Sequence, residues 1–193
     1  MLIHFGEPVD VIFIHIPKTA GMSINSILLP HLKGNLRMGG QKTDLNYHTK
    51  AVDLINRIGQ DNFDRAFTFS FVRNPYDRLY SWCSMLLGKK EKVTKERFKK
   101  WAMTNPNAII QQSTWFKDKQ DKIIVDFIGL FENLENDIKY VMNKLDLPFV
   151  SSDLQHRNKS NRSRDYRKMY DNELIDFVTQ QHAEDIDYFD YTF

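Results

Sequence analysis

Residues 11–29, VIFIHIPKTAGMSINSILL, constrain this chain more than any other stretch. An apolar run predicts a strand over 9–15, of the kind buried on both faces of a parallel sheet. Helical spacing resumes over 20–29. Between the two lies a short turn holding Pro17, Lys18, Thr19, Gly21 and Ser23. The N–H groups at a helix start point outward and the helix dipole favours negative charge there. A lysine and two hydroxyls in such a turn make it a grip for an anion. A tight strand–helix turn with an exposed lysine accounts for the same residues without a ligand, so the rest of the chain has to decide.

The alternation continues. Ala51, Val52, Ile55 and Ile58 predict a helix over 49–59 that Gly59 stops. Phe67, Phe69 and Phe71 on one face predict a strand over 65–72. Asn74 as N-cap and Pro75 at the first helical position open a helix over 74–87. Helices are expected around 94–103, over 134–146 and over 171–183, with a third strand inside KIIVDFIGLFENL and an irregular stretch to about 121. The order of elements predicts an α/β fold, a P-loop-like three-layer arrangement with a central parallel sheet flanked by helices. With 193 residues, 41% of them hydrophobic, the chain is long enough for one core, and a single domain over 1–193 is expected.

A net charge of +2 gives no reason to expect a nucleic-acid partner. Two local runs are basic, KKEKVTKERFKK at 89–100, read as a solvated helix face, and HRNKSNRSRDYRK at 156–168, too rich in Ser and Asn for a plain helix. Cys83, the one cysteine, sits in YSWCSML and reads as a core thiol. No apolar run reaches the ~18 residues of a membrane span, and no basic segment leads into an apolar one at the N-terminus, so a cytoplasmic location is expected.

In open parallel sheets ligands sit at the carboxyl ends of the strands. The loop at 16–21 is not a Walker A loop, because its glycine follows the lysine and the loop is shorter. No strand ends in the acidic residue that would hold Mg²⁺ for nucleotide hydrolysis. A second strand end, in FSFVRNPYDRLYSWC, carries Arg73, and Ser81 lies two turns into the next helix. Together these suggest a second anion site beside the first loop, fitting a nucleoside with phosphate groups at both ends.

FIHIPKTAGMSI and FSFVRNPYDRLYSW together resemble the two nucleotide-binding motifs of the carbohydrate-type (family 2) sulfotransferases, which use 3′-phosphoadenosine 5′-phosphosulfate (PAPS). The likeness continues in VDFIGLFENLENDI at 125–138, in LQHRNKS at 154–160 and in the ending DIDYFDYTF, in order along nearly the whole chain. The resemblance implies that Lys18, Thr19, Ala20, Gly21, Met22 and Ser23 wrap the 5′-phosphosulfate, and that Arg73 and Ser81 hold the 3′-phosphate. It also implies that Lys159 and Ser160 belong to a late segment closing over the nucleotide. Met22 departs from the family, which commonly has threonine there.

Charge grows on the leaving phosphate oxygen during sulfuryl transfer, which assigns Lys18 to stabilise it. The acceptor must lose a proton to a base, and His48, in LNYHTKAVDL, stands where the family resemblance places a histidine. A surface histidine near a helix start is the plainer reading of His48. His15 reads as structural, orienting the loop, and His156 is a second base candidate. The expected acceptor is an alcohol, first of all a glycan hydroxyl, with residues 30–47 and 104–122 as its walls. Within the second wall Trp115 and Phe116 are candidates for stacking on a sugar, although an aromatic pair is more often core, and Gln111, Gln112 and Ser113 for binding hydroxyls. The product would be adenosine 3′,5′-bisphosphate, and no metal is expected. Two other readings stay open: a P-loop-type kinase or nucleotide hydrolase, and a non-catalytic nucleotide-binding module of the same fold.

Overall fold

The computed structural model describes residues 1–7, 10–32, 35–39, 46–88, 92–154 and 165–193. They form two compact units, Met1–Val72 with Thr114–Asn158, and Arg73–Ser113 with Lys159–Phe193.

The first unit holds a five-stranded sheet: β1 (Leu2–Phe5), β2 (Val11–Ile14), β3 (Asn35–Met38), β4 (Phe67–Val72) and β5 (Phe127–Leu130) in the order β3-β1-β2-β4-β5. β2 pairs β4 and β4 pairs β5 in parallel, as the apolar runs predict. The sheet as a whole is mixed, because β1 runs antiparallel to both β2 and β3. The expected central parallel sheet is present in β2, β4 and β5, and β1 departs from it. LIHF and NLRM are four-residue segments without a long apolar run to announce them.

One face is aromatic. Phe13 pairs with Phe69, which pairs with Phe127, and the Phe13 and Phe69 rings stack at 4.9 Å. Helix α1 (Gly21–Leu28) lays Ile24, Ile27 and Leu28 against this face, and α6 (Leu134–Lys144) adds Leu134, Ile138, Val141 and Met142. Each phenylalanine removed from water contributes about 1.5–3 kcal/mol. Ile3, Ile12 and Ile14 point to the opposite face and are also fully buried. The unit further contains α2 (Ala51–Ile58) and α3 (Gln60–Asp64); Gly59 ends α2 as expected, but α3 follows at once.

The second unit is helical: α4 (Pro75–Leu87), α5 (Lys95–Thr104), α7 (Asn172–Gln181) and α8 (Ala183–Tyr188). Asn74 caps α4 as its sequence predicts, accepting from the Tyr76 N–H. The helix expected over 171–183 breaks at His182 into α7 and α8. Tyr76, Tyr80, Phe98, Tyr170 and Leu174 form the core around Cys83, whose burial pushes its thiol up to about 12, as befits a core residue. Lys99 of the basic run is not simply solvated, since it pairs with Asp171 at 2.8 Å and with Glu173.

Candidate functional site

In the first unit, β2 delivers the chain into the loop at its carboxyl end. Lys18 and Ala20 both adopt left-handed backbone, at φ 71° and 67°. Neither is glycine, and each such residue costs about 1–2 kcal/mol, a cost that clusters at functional sites. Alternation between left- and right-handed residues turns backbone N–H groups into a concave anion nest. Ala20 is the N-cap of α1, and among the described residues no side chain caps that helix; the Ser23 N–H turns back to the Ala20 carbonyl at 2.8 Å, and the N–H groups of Gly21 and Met22 precede it at the helix start. Thr19 is fully buried and its hydroxyl donates to the Ile16 carbonyl at 2.9 Å. Its one hydroxyl proton is therefore engaged in shaping the loop, leaving its backbone N–H as its means of touching an anion. Ser23 is buried in the first turn, and Met22 is 51% exposed.

His15 stands beside this loop. Its ring lies so close to Gly21 that a β-carbon there would come within 1.9 Å of Nε2. Glycine is required for this close approach. The ring also stacks on Phe13 at 5.5 Å, and burial holds its pKa well below the ordinary histidine value. No partner for its Nδ1 is found among the described residues.

His48 joins His15 from a turn that follows β3. Gly39 allows the Asn46 carbonyl to pack within 2.3 Å of where a β-carbon would stand, and the Met1 backbone nitrogen donates to the Tyr47 carbonyl at 2.6 Å. Thus placed, His48 Nδ1–H donates to the His15 carbonyl at 2.8 Å, with the two rings 4.6 Å apart. A carbonyl can only accept, so the neutral tautomer has its proton on Nδ1 and a bare lone pair on Nε2. Burial lowers the His48 pKa, the His15 carbonyl opposes this, and the N-terminal ammonium and Lys18 add to the lowering. The lowering favours the neutral imidazole, whose accepting nitrogen is Nε2.

In the second unit, Arg73 follows β4 directly and is buried. Its guanidinium is paired with Asp77 in the first turn of α4, with Nε donating to Oδ2 at 3.0 Å. Ser81 lies on the same helix, 6% exposed. Gln112 and Ser113 are not positioned for an acceptor: both are buried, and Gln112 is bonded to the Arg73 backbone. In the first unit Trp115 and Phe116 are buried as well, which removes them as a sugar platform. Burial of two adjacent aromatics gains more than exposure, and core is the more frequent place for such a pair. Lys159, Ser160 and His156 lie outside the described residues. Among the described residues no group of three or more His, Cys, Asp or Glu is arranged to hold a metal ion, and no helix is long and apolar enough to cross a membrane.

The model of the Sulfotransferase family matches residues 6–192, almost the whole chain. The chain belongs to the sulfotransferase family. A curated protein of Archaeoglobus fulgidus described as uncharacterized is 35% identical over 120 residues, which cover 59% of this chain and 93% of that protein. Sulfuryl transfer from a donor to an acceptor is therefore the chemistry of this sulfotransferase domain.

Sequence reasoning for this sulfotransferase missed Asp185 and gave Gln112 to the acceptor rather than to the Arg73 backbone. Asp185 is fully buried and accepts from the backbone N–H groups of Gln112, at 2.6 Å, and Ser113, at 2.8 Å. Burial works against the carboxylate. His182, 3.8 Å away, the two N–H groups and the charge of Arg78 outweigh it and hold the pKa below the usual value. An acid inside the terminal helix was the one visible signal.

Proposed function

We propose that this protein transfers the sulfuryl group of PAPS to an acceptor hydroxyl, with a carbohydrate as the first acceptor class to test. The observation that carries the reading is the loop at 18–23: left-handed Lys18 and Ala20, an uncapped α1, and a lysine, an arrangement suited to a phosphosulfate. The three-layer P-loop-like fold that the family implies belongs to the same reading, as does a cytoplasmic setting.

PAPS supplies an activated sulfuryl group and leaves as adenosine 3′,5′-bisphosphate. The backbone N–H groups of Thr19, Ala20, Gly21 and Met22, together with Ser23, hold the 5′ end. Lys18 lies where a fixed cation stabilises negative charge growing on the bridging oxygen, an effect realised mainly in the transition state. His48, neutral and oriented through Nδ1, receives the acceptor's proton on Nε2. Arg73 and Ser81 contact the 3′-phosphate, which sets PAPS apart from ordinary adenylates. None of these roles draws on a metal.

Two measurements test this. Thermal unfolding with adenosine 3′,5′-bisphosphate should show stabilisation larger than with Mg-ATP, because a ligand of the native state raises stability by mass action. The reverse preference would support a kinase or hydrolase. Incubation with PAPS and a panel of sugars, lipids and small alcohols, followed by mass spectrometry, should reveal an added sulfonate. Tight nucleotide binding without transfer to any acceptor would support a non-catalytic module.

A further inference from the structure

The side chain of Gln112 forms a closed pair of hydrogen bonds with the backbone of Arg73. Its Oε1 accepts from the Arg73 N–H at 2.9 Å, and its Nε2 donates to the Arg73 carbonyl at 2.8 Å. Arg73 is the first residue beyond β4, where ladder pairing has stopped at Val72. A buried backbone there would have both polar groups unpaired. The amide of Gln112 does what the next rung of a sheet would do, but from a side chain.

That amide is itself fixed. Gln112 is fully buried, and its own N–H donates to Asp185 Oδ2 at 2.6 Å. Asp185 takes the Ser113 N–H on its other oxygen. Arg78, also buried, faces Asp185 with its charge and donates from Nη2 to the Ile110 carbonyl at 2.8 Å. Segment 110–113 is thus held from α4 on one side and from α8 on the other. The Arg73 guanidinium, meanwhile, is oriented by Asp77. Backbone and side chain of Arg73 are both locked, by different partners within one unit.

We propose that Gln112 is a positioning residue for Arg73, with Asp185 as its anchor, and that this clamp sets how well the protein discriminates nucleotides carrying a 3′-phosphate. The inference rests on the proposed role of Arg73. Misplacing a recognition group by about an ångström is enough to lose much of its effect. Gln112 acts without touching the ligand.

The test is the ratio of affinities for adenosine 3′,5′-bisphosphate and adenosine 5′-monophosphate, measured by calorimetry on the full chain. Gln112→Glu keeps the shape and the bond from the Arg73 N–H but sets an oxygen against the Arg73 carbonyl. Gln112→Met removes both bonds. Partial unfolding weakens both nucleotides alike and leaves the ratio intact. The expected result is a ratio reduced several-fold by Gln112→Glu and more by Gln112→Met. In an Arg73→Ala background, where the ratio has already collapsed, neither substitution should lower it further. An unchanged ratio in the Gln112 variants, while Arg73→Ala alone collapses it, would overturn the clamp and leave the Arg73 role standing. An unchanged ratio in Arg73→Ala would overturn both. A Gln112 effect that persists at full size without Arg73 would also overturn the clamp.

Discussion

The imidazole of His15 occupies the volume that a β-carbon on Gly21 would need, with Nε2 only 1.9 Å from that position. The residue just beyond β2 and the first residue of α1 therefore define each other's shape. Gly21→Ala must displace a buried ring that also stacks on Phe13, and overpacking of this kind costs about 1–3 kcal/mol. The expected outcome is a lower unfolding midpoint and weaker nucleotide binding. Adding His15→Ala to Gly21→Ala should restore part of the lost stability, since the clash has two partners. Strictly additive losses in thermal melts would show that the ring is not what excludes the β-carbon.

Lys18→Ala should leave the protein folded and nearly abolish turnover. A charge aimed at the developing oxyanion acts mainly in the transition state, so kcat should fall more than nucleotide affinity. Steady-state kinetics beside direct nucleotide titration check this. A raised KM with kcat intact would assign Lys18 to ground-state binding.

Met22→Thr supplies the hydroxyl that the family commonly places there. Because Met22 is half exposed at the first turn of α1, the exchange should cost little packing. One added hydrogen bond is expected to improve donor binding by about 0.5–1.5 kcal/mol. Titration with adenosine 3′,5′-bisphosphate reads the gain, and unchanged affinity would mean that the threonine hydroxyl does not reach the nucleotide.

His48→Ala should keep nucleotide binding and lose transfer by roughly 10²–10⁴-fold, the usual contribution of a general base. In the wild type the rate should rise with pH along a limb lying below the ordinary histidine range, because burial lowers this pKa. His48→Ala should flatten that limb. Near-normal transfer with the same pH profile would move the base elsewhere, with His156 next to test.

Acid should destabilise the first unit before it affects most carboxylates. Both His15 and His48 have pKa values lowered by burial in the fold, against 6.5 in an unfolded chain. The unfolded state binds protons first as pH falls below 6.5, so stability is fully present above that value and lost on acidification. Denaturant melts between pH 7 and the acid range should show this slope, and His15→Gln should shallow it. A slope unaffected by His15→Gln would place its source in other groups.

The three parallel strands β2, β4 and β5, the helices that follow them, the cap at Asn74, the stop at Gly59 and the phenylalanine face of β4 were legible in the sequence, because each rests on residues close together along the chain. Spacing, caps and glycine positions express local rules of backbone and burial. What the sequence could not determine was where distant segments meet. β1 and β3 join the sheet antiparallel because the edges of β2 and β1 are open to them, and nothing in LIHF or NLRM announces it. Trp115 and Gln112 looked like surface groups for an acceptor, and burial assigned one to packing and the other to the Arg73 backbone, 39 residues away. His48 acquired a defined tautomer only from the His15 carbonyl, 33 residues off. Polar side chains take their roles from the partners that folding brings to them. Those partners are fixed by the requirement that buried polar groups be satisfied, which no local pattern encodes.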